Sequence, residues 1–181
     1  FFLTAPLFGV AAGLTLIFGG EILVSRWTPG ALAITHLFAA GFMLQVMLGA
    51  LLQVMPVVAG ASMPAPLRIA GITHLAMALG AAGLAFGLGA GAPGVLLGGA
   101  VLLVGGLFVF LSAAALGLSR GARTGNNTRT PRDLRMAFAG LVVTAVLGFS
   151  LVLVLTRGVA LPVPLPTVVN LHAGWGWMGW A

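Results

Sequence analysis

ALAITHLFAAGFMLQVMLGALLQVMP, residues 31–56, is an apolar run with a single ionisable side chain, His36. A hydrocarbon core about 30 Å thick takes roughly 20 helical residues, so the stretch is long enough to cross a bilayer. Hydrocarbon penalises a polar group that lacks a partner or a ligand. A lone histidine at membrane depth therefore marks a candidate functional site.

The same apolar character runs through the whole chain. Of 181 residues, 60% are hydrophobic and 6% charged, and the mean hydropathy is +1.18, far outside the range of a soluble domain. Hydropathy, punctuated by Gly, Pro and Arg, predicts five complete membrane spans and a partial one, over 1–24, 31–58, 67–89, 94–118, 133–156 and 167–181. The expected fold is an all-α integral membrane protein, a polytopic helix bundle forming one domain over 1–181. The runs are continuous and lack the alternation of β-barrel strands. Connections at 25–30, 59–66, 89–93 and 157–166 are short, which makes adjacent spans antiparallel neighbours. Phe1 is not an initiator methionine, and the segment from Thr167 to Ala181 is shorter than a span, so the sequence is expected to continue beyond Ala181. Nothing at the start resembles the charged n-region of a signal peptide.

The formal charge of +6 comes from eight arginines against Glu21 and Asp133. Most of it sits in the connection SRGARTGNNTRTPR, residues 119–132, with Arg120, Arg123, Arg129 and Arg132, followed by Arg135. The positive-inside rule places that loop, and the start of span one, in the cytoplasm of a bacterial inner membrane. Arg68 falls on the same side, whereas Glu21, Arg26 and Arg157 fall outside. Positive charge gathered in one loop makes no nucleic-acid surface. The expected partners are the lipid bilayer and other subunits of a membrane complex.

His36 and His172 both enter from the outer side, about five residues into spans two and six, which at 1.5 Å per residue is about 8 Å below that surface. His74 enters span three from the cytoplasmic side and belongs to the other half of the membrane. Neutral imidazole is a common ligand for haem iron and suits copper without charge compensation, so His36 and His172 are candidate metal ligands. On an unbroken α-helix, Met43 and Met47 fall within about 20° of the His36 face. Met43, Met47 and Trp175, the last in the run NLHAGWGWMGWA at 170–181, are candidate cofactor-lining residues. The alternatives are plain: histidines bonded across helices for packing, methionines filling gaps, and an interfacial belt of Trp175, Trp177 and Trp180. Gln45 and Gln53 lie on other faces of span two and suit bonds across helices. Glycines at Gly80, Gly83 and Gly87, and at Gly94, Gly98 and Gly105, suit close packing of spans three and four.

Other chemistries lack their residues. With no cysteine there are no thiolate ligands, iron–sulfur clusters, disulfides or covalently attached haem. Paired carboxylates, HExxH, a nucleophile elbow and a GxxxxGK loop are missing too.

Span two, with His36 leading an apolar helix to Pro56, and span six, with NLHAGWGWMGWA, resemble helices II and VI of the haem-copper oxidase subunit I family. The NnrS family of haem- and copper-binding membrane proteins is similar in style. The resemblance implies the first six of about twelve helices, with His36 an axial ligand of haem b and His172 a haem or copper ligand. The histidine in span six is followed by Ala173-Gly174-Trp175 and the chain has no tyrosine, a departure at the copper side of the motif. Two functions follow. One is haem binding, with copper as a second candidate, for electron transfer or for handling oxygen or nitric oxide as an oxidoreductase. The other is a cofactor-free accessory subunit of a respiratory or photosynthetic complex, or a small-molecule permease.

Overall fold

The computed structural model describes residues 1–121 and 129–180, so residues 122–128 of the arginine-rich loop, Arg123 among them, lie outside the described residues. The described residues are helical with connecting turns and contain no strand. Six helical segments follow in order: α1 (Ala5–Phe18), α2 (Pro29–Ala59), α3 (Pro66–Gly89), α4 (Pro93–Gly121), α5 (Arg129–Arg157) and α6 (165–180). Within α2 the stretch Leu37–Leu44 is π-helical, and α6 passes from α-helix, Leu165–Gly174, to π-helix, Trp175–Trp180. Four helices, α2 to α5, are long and apolar enough to cross a bilayer, the pattern of a multi-pass membrane protein.

Local chemistry sets the ends. The 14 residues of α1 reach only about 21 Å, shorter than the span expected over 1–24. Gly20 stops that helix by taking φ +62°, a left-handed conformation that costs glycine nothing. Helix α2 begins on Thr28, whose side chain accepts a 3.1 Å hydrogen bond from the Ala31 N–H, with Pro29 at the first helical position. The Thr28 hydroxyl in turn donates to the Ile22 carbonyl and ties the 21–28 turn to the cap. Thr28→Ala is expected to cost about 1 kcal/mol, seen as a lower thermal midpoint in detergent with helix content unchanged.

Helices α3 and α4 make the closest pair, because glycines let their backbones meet. A Cβ added to Gly83 would lie 3.2 Å from the Gly99 Cα, and one on Gly106 would lie 2.8 Å from the Ala76 Cβ. Gly80, Gly83 and Gly87 serve this approach as their spacing suggests. On α4 the partners are Gly99 and Gly106, whereas Gly94, Gly98 and Gly105 face open space. One residue along a helix is a rotation of about 100°, so the face that meets α3 is one position on from the one expected.

Leu48, Met55, Met77, Phe110 and Leu118 are fully buried where α2, α3 and α4 meet, and Leu141 and Val152 of α5 join the same core. Helix α5 packs between α4 and α6, α2 lies on α3, and α1 lies on the π-helical part of α2. Gly41 in that part faces the Phe8 ring of α1. Gln45 is buried; its Nε2 donates to the Gly41 carbonyl at 2.8 Å and its Oε1 accepts from the Thr4 hydroxyl at 3.1 Å. Gln53 is exposed. The outer faces stay apolar, with Leu7, Phe86, Phe108 and Val146 more than half exposed. Lipid solvates such a surface, whereas water would drive it to aggregate.

Candidate functional site: a cavity with two histidines

His36 is the last residue of α2 before the π-helical stretch. Its Nδ1 lies 2.8 Å from the Leu32 carbonyl one turn back on the same helix. A carbonyl only accepts, so Nδ1 carries the hydrogen and Nε2 keeps its lone pair. His172, on α6, has the same arrangement with a different helix, its Nδ1 donating to the Thr144 carbonyl of α5 at 3.0 Å. A helical carbonyl is usually shielded by the side chain four residues on. Here that residue is Gly148, and a Cβ on it would lie 2.7 Å from Cε1 of His172.

The two rings meet. Their centroids are 6.2 Å apart and their planes differ by 14°. Both line one cavity of about 320 Å³, walled by aliphatic residues of α3, α4 and α5, among them Leu88, Leu103 and Val152, with Trp27 from the turn before α2. Small residues, Ala40, Ala100, Ala145 and Gly148, leave its width. Among the described residues, no hydrogen bond reaches the Nε2 of either histidine, and no group of three or more His, Asp or Glu side chains comes together. Next to this cavity, Arg26 lies 4.7 Å over the Trp27 ring and donates a 2.9 Å hydrogen bond to the side-chain oxygen of Asn170. That bond ties the turn before α2 to α6, two residues from His172.

The structure thus brings His36 and His172 together and places the other candidates elsewhere. Met43 and Met47 do not line the cavity; Ala40 and Leu44 follow His36 on that face. A π turn takes about 4.4 residues, so Leu37–Leu44 shifts the helical phase on which the methionine expectation depended. Trp175 is 43% exposed, its ring lies against Gly179 of its own helix, and it is not a cavity residue. Trp177 is also exposed, and Trp180 packs on Phe138 with its centroid 6.2 Å away. His74 lies outside the cavity: its Nε2 is 3.5 Å from the Thr4 hydroxyl, and the Phe1 ring stands edge-on at 4.9 Å.

Three contributors are not anticipated from the sequence: Trp27, Thr144 and Gly148. A signal for two of them exists in Gly140, Thr144 and Gly148, a stripe of small residues at four-residue spacing on α5. Gly140 meets the backbone of Gly179 and Gly148 meets the His172 ring, so the stripe is the track on which α6 lies. Chemically, the site offers two neutral nitrogen lone pairs in an apolar space, each with its other ring nitrogen held by a carbonyl. Such carbonyl partners fix the ring and tautomer of metal-bound histidines. The chain matches no protein-family model, no curated protein and no solved structure.

Proposed function

We propose that the chain is a membrane haem protein that holds a b-type haem in the cavity between α2 and α6, with His36 as an axial ligand. The observation that carries this reading is that two histidines line one apolar cavity, each with Nδ1 tied to a carbonyl and Nε2 without a partner. The donors suit iron in a porphyrin, which brings four ligands of its own and needs imidazole above or below the plane. With no cysteine in the chain, the attachment is non-covalent. A haem held this way supplies a one-electron couple, set here by neutral ligands in a water-poor cavity. The work of the chain is to hold it, orient it and keep water out, for electron transfer or for handling oxygen or nitric oxide. Resemblance to haem-copper oxidase subunit I and to the NnrS family supports this class, as does the distribution of arginines, which suits a bacterial inner-membrane protein with the 119–132 loop cytoplasmic. The six helices would then be half of a twelve-helix protein. Copper is the second candidate occupant, through His172.

The test is a reduced-minus-oxidised spectrum and a metal analysis of the purified protein. The expected result is a b-type spectrum approaching one haem per chain, with His36→Ala losing most of it while remaining folded. No haem absorption together with no copper would sink the proposal and leave the cofactor-free subunit or permease.

A further inference from the structure

We infer that His36 and His172 are the two axial ligands of a single iron, held from opposite faces of one macrocycle by α2 and α6. This rests on the haem reading above and goes beyond it. The resemblance leaves His172 free to take copper and puts the second axial partner of His36 outside the chain, whereas the geometry joins the two histidines.

Distance is the first argument. A metal–nitrogen bond is about 2.0 Å and a ring nitrogen lies about 1.1 Å from the centre of an imidazole, so two imidazoles facing one ion place their centroids roughly 6 Å apart. The observed separation is 6.2 Å. Tautomer is the second. With both Nδ1 hydrogens given to carbonyls, each Nε2 is an acceptor, and neither ring has a proton to offer the other. Two acceptors without a protein partner, on rings that line one apolar cavity, are completed by a Lewis acid. The donor count is the third argument. Four-coordinate copper or zinc would need further protein ligands, and none joins the pair among the described residues. Iron in a porphyrin has room for two axial donors and no more, the number this pair supplies.

Independent anchoring shows how the clamp is built. His36 is fixed within α2 through Leu32, and His172 is fixed to α5 through Thr144, so neither ring depends on the ligand for its orientation. Near-parallel planes result, at 14°. With both axial positions taken, the site has no open position for a diatomic gas, so of the two roles proposed above the pair selects electron transfer.

The experiment uses the purified full chain loaded with hemin. The wild type is expected to be six-coordinate and low-spin, to give the rhombic ferric paramagnetic-resonance signal of parallel imidazole planes, and to leave carbon monoxide unbound when reduced. His172→Ala should keep hemin on His36 but become high-spin and bind carbon monoxide, and imidazole in the buffer should restore the low-spin spectrum. A high-spin, carbon-monoxide-binding wild type overturns the inference, and so does a His172→Ala protein that stays low-spin without imidazole. In both cases the haem reading survives. A wild type that retains no hemin overturns both. Because the wild-type spectra decide the coordination by themselves, the inference stays testable even when a variant fails to fold.

Discussion

Gly148→Leu is expected to empty the histidine cavity while leaving a helical bundle in place. A Cβ at this position already falls 2.7 Å from Cε1 of His172 and 3.2 Å from its Nδ1, and a leucine would extend further into the ring. His172 must then swing away, losing the Thr144 carbonyl that holds its tautomer. Loss of a carbonyl that holds the far ring nitrogen of a metal-bound histidine costs about 10–100-fold in metal affinity. Gly148→Ala is expected to fall within that range in a hemin titration, and Gly148→Leu beyond it. Gly105→Leu makes the matching control, because that glycine faces open space. Wild-type hemin affinity in Gly148→Ala would show that the Thr144 bond does not orient the ligand.

Gly99→Leu is expected to have the largest effect on folding. Its Cβ would fall 2.7 Å from the Gly83 carbonyl carbon and 2.9 Å from the Gly80 carbonyl oxygen, all backbone, which cannot turn aside as a side chain can. The two helices would have to separate, opening the contacts of Leu84, Leu96 and Leu103 in the shared core. Overpacking a dense interface costs about 1–3 kcal/mol, and a clash with backbone belongs at or above the top of that range. Little folded protein should survive purification in mild detergent, judged by a monodisperse elution profile and thermal midpoint. The neighbouring Gly98→Leu, with open space beside it, should behave as the wild type. Equal tolerance at 98 and 99 would contradict the helix rotation described here.

That pair of adjacent glycines also separates what a linear pattern can carry from what it cannot. Hydropathy announces the helix over 94–118, and glycine content announces close packing. Neither says whether Gly98 or Gly99 turns toward α3, since a step of one residue is a rotation of about 100°. The same limit governs the site. The placement of His36 and His172 about two turns into their helices is legible, because Thr28, Pro29, Pro164 and Pro166 mark those starts. The methionine face is not legible, because it assumes a uniform α-helix and Leu37–Leu44 is π-helical. Glycine at 41, the Phe8 ring against it and the buried Gln45 amide bonded to its carbonyl all accompany that irregularity, and both Phe8 and Thr4, which donates to the same Gln45 amide, are distant in sequence.

By itself the sequence determined that this chain forms apolar helices, because hydrocarbon leaves a backbone no partner but itself and runs of this length can satisfy that demand only as helices. It also determined that His36 and His172 would be costly to bury without a partner. Only the tertiary structure decided that they are each other's neighbours at 6.2 Å, with Leu32 and Thr144 setting their tautomers and Gly148 making room. Those choices depend on the rotation of each helix about its own axis, which is set where side chains from different helices meet and is written in no single stretch of the chain.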